Sequence, residues 1–321
     1  MPHAIGLDIG HSAVKVAIGE TFLFPTAAMP ALDLSIDGST EAAQDDTVRI
    51  GSGTFFVGET AKIHSGGRLL DGLSDDWTVS DEHTALMVAG YQKAVRRAGV
   101  EPDMVVLGLP SRLHSKHKAQ LQATAAVNLG ISRLQIRVMP QPMAAYYSRI
   151  VDAEGMPTGS VVQDDKWIII DVGYYTTDFG MFASRRWSSA AQESTSGVYL
   201  AAQHLRRLIA DRIGMDVSVR EAEAILRTKA MRHQGEIINA SAWVAESVSG
   251  IAKSIVDAAT RILGSREIDS ASGVFIAGGG SSLVFEALHK QWRHAVCAEN
   301  PRFAVAEGLR RYGLASLLVM A

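Results

Sequence analysis

The sequence holds a single cysteine, Cys297, among 321 residues. One thiol cannot close an internal disulfide, so no covalent staple supports the fold and a reducing compartment suits it. Long apolar runs are missing too: none approaches the roughly 18 residues a membrane-spanning helix requires. The opening MPHAIGLDIG lacks the basic segment and apolar core of a secretory leader. A cytoplasmic location without membrane contact is expected. Neither sign of charge dominates. There are 31 Lys and Arg against 34 Asp and Glu, a formal net charge of −3, and the pI is about 6.4. A surface that neutralises nucleic-acid phosphates needs clustered Lys and Arg. The clusters here (Arg96-Arg97, Arg112 to Lys118, Arg185-Arg186, Arg206-Arg207, Arg310-Arg311) are short and read as solvated faces.

Two common nucleotide signatures are also absent. No GxxxxGK[ST] occurs, which removes the P-loop route, and no GxGxxG precedes an acidic residue, which disfavours a dinucleotide fold. What remains is an ordinary globular composition, 47% hydrophobic and 20% charged, in a chain long enough for about two domains.

Ala4 to Ile9 and Ala13 to Ile18 read as strands joined by the turn Gly10-His11-Ser12, a hairpin. From Leu32 to Asp81 the texture turns polar, with short strand-like pieces at Thr47 to Ile50 and Thr54 to Val57, and reads as a small insertion. Helical periodicity returns from Glu82 to Ala98 and again from Lys116 to Leu129, with buried strands at Met104 to Leu109 and Leu134 to Val138. Met143 to Ile150 reads as helix. The loop Asp152 to Gly159, rich in Gly and Pro, marks a domain boundary. The pattern then restarts. Trp167 to Val172 and Asp178 to Phe182 form a second hairpin, helices dominate Val198 to Leu263 with breaks near Gly214 and Gly235, and strand Gly273 to Ala277 runs into Gly278-Gly279-Gly280 and a helix from Leu283. Phe303 to Val319 reads as helix. LDIGHSAVKVAI and IDVGYYTTDFGMF open the two halves alike, so a duplicated α/β fold is expected.

Three loops offer chemistry. Asp8, ending a buried strand before a tight turn, stands where a hydrated divalent cation can sit, and the backbone and hydroxyl of Ser12 can face phosphate oxygens. Lys15 is near enough to reach the same anions or to face solvent. Asp171, with Gly173, Tyr174, Tyr175 and Thr176 after it, makes a matching loop, and would complement Asp8 in holding the cation through water. Asp178 can help order an attacking water. Gly278 to Gly280, with Ser281 and Ser282, follow a strand and open a helix, where glycines let a flat ligand or phosphate approach the backbone. Each loop taken alone is equally an ordinary turn.

Taken in order, with Val138-Met139-Pro140-Gln141-Pro142 between the first two, these loops resemble the five-part nucleotide signature of the actin, heat-shock chaperone and sugar kinase superfamily. Within it the chain looks most like the bacterial plasmid-segregation actins, the ParM/StbA family. The likeness spans most of the chain: phosphate loop one at Asp8 to Lys15, a first connector helix at Pro140 to Tyr147, phosphate loop two at Asp171 to Asp178, the segment Ser194 to Leu205, an adenosine loop at Ala277 to Ser282, and a second connector at Ala304 to Tyr312. It implies an actin-like, ribonuclease H-like duplicated fold with two domains around a nucleotide cleft. Domain I would cover 1–155, with an insertion at about 32–81 and the helix 303–321 packed back on it. Domain II would cover 156–302, with a helical subdomain at about 200–268.

The resemblance also implies chemistry. Asp8 and Asp171 would position hydrated Mg²⁺. Gly10, His11, Ser12 and Lys15, with Gly173, Tyr174, Tyr175 and Thr176, would cradle the phosphates of ATP or ADP. Gln141 would orient the hydrolytic water, Gly278, Gly279, Gly280 and Ser281 would lie against adenosine, and Glu223 would face ribose or base. An ATPase follows, polymerising with itself into dynamic filaments and segregating plasmid DNA through a DNA-binding adaptor of the ParR type, with DNA contacted only indirectly. A non-polymerising ATP-binding scaffold and a small-molecule kinase are the alternatives within the same fold. The sequence departs from relatives at Tyr174 and Tyr175, where glycines are usual. A tyrosine there makes positive φ costly, which puts the loop geometry in question.

Overall fold

The computed structural model describes residues 2–33, 43–65, 75–159, 165–184, 186–188 and 193–320. Of the insertion expected at 32–81, residues 34–42 and 66–74 lie outside these, as does Arg185. The chain divides into two compact units, residues 1–161 with 303–321, and residues 162–302.

In the first unit, β1 (Ala4–Ile9), β2 (Ala13–Ala17) and β3 (Thr21–Pro25) form an antiparallel meander. Beyond it, β4 (Ala28–Pro30), β5 (Thr47–Ile50) and β6 (Gly53–Val57) make a separate three-stranded sheet, followed by α1 (Gly58–His64). A 3₁₀ turn at Asp75–Val79 leads into α2 (Asp81–Ala98). Ser80 caps that helix by accepting the His83 amide, and left-handed Gly99 ends it. Next come β7 (Met104–Leu109), α3 (Ser111–Leu129), β8 (Ile136–Pro140) and α4 (Gln141–Ile150). The main sheet runs β3-β2-β1-β7-β8. β1 and β7 are buried at all six positions each, which is why both read as continuous apolar runs rather than alternating ones.

The C-terminal helix Ala304–Met320 belongs to this unit, lying on β1 and α4. Gly308 permits the approach. A Cβ there would fall on the Ala144 carbonyl oxygen, well inside contact distance. Arg311 fastens the same contact by donating to the carbonyls of Ser148 (2.6 Å) and Val151 (2.9 Å) at the C-terminal end of α4.

The second unit repeats the sheet plan. β9 (Lys166–Val172) and β10 (Thr176–Ala183) form the hairpin, with β11 (Arg186–Trp187) and β12 (Ser194–Ser196) both paired to β10. α5 (Tyr199–Ile213), α6 (Val219–Thr228), the hairpin β13 (Ala230–His233) and β14 (Glu236–Asn239), α7 (Ser241–Leu263) and α8 (Ser265–Asp269) follow. The unit closes with β15 (Gly273–Ala277), α9 (Ser281–Gln291) and β16 (Ala295–Cys297). Its sheet order is β11-β10-β9-β15-β16. In each unit an antiparallel hairpin is thus extended by two parallel strands, and the strand with Asp as its next-to-last residue is central. The duplication read from the sequence is present.

Two expectations need correction. Helices do dominate Val198 to Leu263, but one of the two breaks between them is itself strand. Gly214 does end α5, but the break near Gly235 is a β-hairpin, with Lys229 and Gln234 at positive φ. α3 also starts at Ser111, five residues ahead of its periodic stretch. Pro110 stands before its first turn with φ of −52°, and Ser111 and Leu113 are buried there.

Candidate functional site

In the first unit the site is set by hairpin register. Asp8 in β1 lies directly opposite Lys15 in β2, and the Lys15 ammonium donates to Asp8 Oδ2 at 2.7 Å. The other oxygen, Oδ1, accepts from Gln141 Nε2 at 2.8 Å. Gln141 arrives there because β8 is two strands from β1, and α4 begins directly at the end of β8. Pro142, in the first turn of α4, supplies no N–H where none is needed. A carboxylate only accepts, so Nε2 of Gln141 must point at Asp8 and its Oε1 is turned away. Asp8 is 2% exposed, and two donors offset the cost of burying its charge.

The tip of this hairpin spreads its side chains. The Thr26 hydroxyl donates to the Gly10 carbonyl, and the Lys15 ammonium lies over the place a Gly10 Cβ would take, 3.0 Å away. Ser12 is exposed. His11 does not join the group around Asp8. Its ring stacks on Trp77, with centroids 4.7 Å apart and planes 27° apart.

In the second unit Asp171 is buried in β9, opposite Asp178 in β10. Asp178 accepts from the hydroxyls of Thr176 and Ser194, each at 2.8 Å. It is thereby held inside the hairpin. The connecting loop is tied to the start of α5: the Gly173, Tyr174 and Tyr175 carbonyls accept from the amides of Val198 (3.2 Å), Tyr199 (2.8 Å) and Gly197 (2.7 Å). Among the described residues, the non-glycines at positive φ are Ser184, Lys229 and Gln234. Tyr174 and Tyr175 therefore fill the loop without the strain their identity suggested. Their rings stand 4.8 Å apart and both meet Tyr199, at 5.7 and 4.9 Å.

The glycine run sits over Asp171. Gly278 has φ of +91°, and a Cβ there would meet Asp171 Oδ1 and the Val172 carbonyl. A Gly280 Cβ would press on Val198 (2.5 Å) and Val172 (2.9 Å), and the Gly280 amide donates to the Val172 carbonyl at 2.9 Å. Ser281, fully buried, turns its hydroxyl back to the Gly278 carbonyl at 2.8 Å. Gly279 differs. It is exposed, and the nearest atom to its missing Cβ is Arg302 Cγ at 3.8 Å. Packing explains Gly278 and Gly280; only an approaching ligand would use the opening at Gly279.

Around that opening lie Glu223, paired to Arg227 at 3.0 Å, and Arg302. Burial, with Glu223 next, pushes the Tyr174 hydroxyl well above the ordinary phenol range. Burial and the neighbouring Arg227 lower the Arg302 guanidinium from its usual range, with Glu223 opposing. Glu223 thus does share a neighbourhood with Tyr174. Arg302, Arg227 and Trp77 carried no motif. Tyr199 lay within the Ser194 to Leu205 segment, whereas Arg302 becomes legible only once β16 brings the following loop beneath the glycines, the Gly278 amide donating to Pro301.

Among the described residues, no group of three His, Cys, Asp or Glu could hold a metal ion. Asp8 already accepts from Lys15 and Gln141, a donor set that suits contact with a cation through water better than direct ligation.

Residues 6–143 match the family model "Actin like proteins N terminal domain", and residues 169–290 match "Archaeal actin homologue MreB-like, C-terminal". No curated protein matches the sequence significantly. Among solved structures, a 15-stranded ParM filament from Clostridium botulinum is 19% identical with a TM-score of 0.75, the match covering 97% of this chain and 99% of that one. The archaeal actin homologue Ta0583 in complex with ADP is 18% identical at TM-score 0.70, over 99% and 100% of the two chains. A non-polymerising mutant of MamK bound to AMPPNP is 18% identical at TM-score 0.62, over 97% and 98%. With both halves matched by actin-type models and the same duplicated sheet in each unit, this chain belongs to the actin-like proteins.

Proposed function

We propose that this chain binds ATP with Mg²⁺, hydrolyses it to ADP and phosphate, and assembles with itself into filaments whose persistence depends on the bound nucleotide. The observation that carries the reading is the pairing of two restrained carboxylates with two glycine-containing loops. Asp8 is held by Lys15 and Gln141, and Asp171 lies beneath Gly278. The nucleotide would be held chiefly by loop backbone. Gly10 to Ser12 and Tyr174 to Thr176 would offer backbone donors to its phosphates, with Gly173 shaping the second loop by donating its amide to the Thr176 carbonyl at 2.9 Å. Gly279, with Arg302, Glu223 and Tyr174 near it, receives the nucleoside. Mg²⁺ would offset charge on the phosphate oxygens through water-mediated contacts to Asp8 and Asp171.

Hydrolysis of this kind is mostly positioning and electrostatics. Gln141 suits the role of orienting water: its Oε1, turned away from Asp8, can accept a hydrogen bond but cannot take the proton outright. Slow turnover is the expected consequence. Asp178 accepts from two hydroxyls, which would fix in place the carboxylate that helps order the water.

Filaments are proposed from kinship: the related ParM structure is described as a filament. Plasmid segregation through a ParR-type DNA-binding adaptor is the finer reading, and the acidic net charge agrees with DNA being touched only indirectly. Sedimentation with ATP, ADP and no nucleotide, each with Mg²⁺ or EDTA, tests the assembly. Polymer should appear with Mg²⁺-ATP. Its absence across a wide protein concentration range, with ATP binding intact, would leave the non-polymerising scaffold as the better reading.

A further inference from the structure

His11 belongs to the first phosphate loop by sequence, yet its ring turns to Trp77. Trp77 is itself 7% exposed, in a one-turn 3₁₀ segment where a large aromatic would otherwise have little to bury it. It is fixed from both sides. Its ring meets His83 edge-on at 4.8 Å and 89°, and His83 is 1% exposed in the first turn of α2. Next to it, the buried hydroxyl of Thr78 is 3.1 Å from His117 Nδ1 on α3. Ser80 then starts α2. The 3₁₀ segment is thus anchored to two helices, and Trp77 forms a rigid plate with the loop's only aromatic ring laid on it. Burial, and His11 nearby, hold the His83 imidazole down at about 3, so the plate's support stays neutral across the working pH range.

We infer that Trp77 is a positioning residue for the first phosphate loop: through His11 it fixes where the Gly10 to Ser12 backbone stands, and so how tightly the loop takes a triphosphate. This rests on the nucleotide-binding reading above. A loop tip is ordinarily mobile, and one stacked aromatic pair is enough to bias it between two positions. Coupling is reciprocal, so phosphates that settle the loop must also change the surroundings of Trp77.

The test uses the full chain, with Trp77→Phe, Trp77→Leu, His11→Ala and the double variant Trp77→Leu/His11→Ala. Affinity for a fluorescent ATP analogue and tryptophan emission are measured for each, with circular dichroism as the check on folding. Trp77→Leu and His11→Ala should each weaken binding by roughly three- to tenfold, the size of one aromatic contact. The double variant should be no weaker than either single one, and Trp77→Phe should restore most of the affinity. ATP should shift the emission of the wild-type chain, and the shift should be clearly smaller in Trp77→Phe, which keeps the other four tryptophans. Equal affinity in all folded variants, or a shift in Trp77→Phe as large as in the wild type, overturns the inference. If Trp77→Leu fails to fold, His11→Ala and the Trp77→Phe emission comparison still decide it. A wild-type chain that binds no ATP overturns the nucleotide reading itself, a separate outcome.

Discussion

At the scale of single residues, the glycine run separates folding from binding. Gly278 has positive φ and no room, whereas Gly279 faces open space. Gly278→Ala should therefore destabilise the chain by at least about 1–3 kcal/mol, the usual penalty for overpacking. Gly279→Ala should leave the urea midpoint unchanged while ATP affinity falls about tenfold or more, about 1.4 kcal/mol. Equal affinity in Gly279→Ala would remove the nucleoside from that opening. His83 gives a second residue-level expectation. Burial lowers its pKa in the fold to about 3 from the ordinary 6.5. The unfolded chain therefore binds the extra proton between those values, and stability is lost as pH falls below about 6.5. Between pH 7.5 and 5.5 this group should cost roughly 1.4 kcal/mol. Urea unfolding of wild type and His83→Gln at the two pH values measures it, and the variant should show the smaller acid loss.

At the scale of elements, the sequence carried the strands that hold the site and lost those that do not. β1, β7, β9 and β15 were legible because burial on both faces leaves unbroken apolar runs ending in Asp, Pro or Gly. The hairpin β13 to β14 was not. Of its residues only Met231 is buried, so no alternation marks it, and the polar residues on either side resemble helix surface. The loop motifs named Asp8, Gln141, Asp171 and the glycines, but side-chain direction came from register and packing alone: Lys15 onto Asp8, His11 away from it, Asp178 into its own hairpin. Gly308 shows the same limit. Its motif placed it in a connector, while its cause is the Ala144 carbonyl against which the C-terminal helix lies. Gly308→Ala must push two backbones apart. A loss of about 2 kcal/mol or more in unfolding free energy is expected, whereas Gly250→Ala, exposed inside α7 with nothing within 4 Å of its Cβ, should gain about 0.5–1 kcal/mol.

At the scale of the whole molecule, the proposal that Asp8 and Asp171 serve the same ATP predicts a pattern that two independent sites cannot give. Asp8→Ala and Asp171→Ala should each lower ATP turnover by about 100-fold or more, the cost of removing one electrostatic partner from a transition state. The double variant should be scarcely slower than either single one, because groups acting as a unit are not additive. Self-assembly joins the same argument. If assembly follows nucleotide state, slowing hydrolysis should lengthen the life of polymer that has formed, so Asp171→Ala should yield either no sedimentable filament or unusually persistent filament with ATP. Wild-type polymer should form with Mg²⁺-ATP and decay as phosphate is released. The decisive measurement follows phosphate and light scattering together in one sample. Scattering that falls in step with phosphate in the wild type, and holds in Asp171→Ala, ties disassembly to hydrolysis. Scattering that falls equally in both, with turnover abolished in the variant, would detach filament lifetime from nucleotide chemistry and leave ATP as a ligand for folding alone.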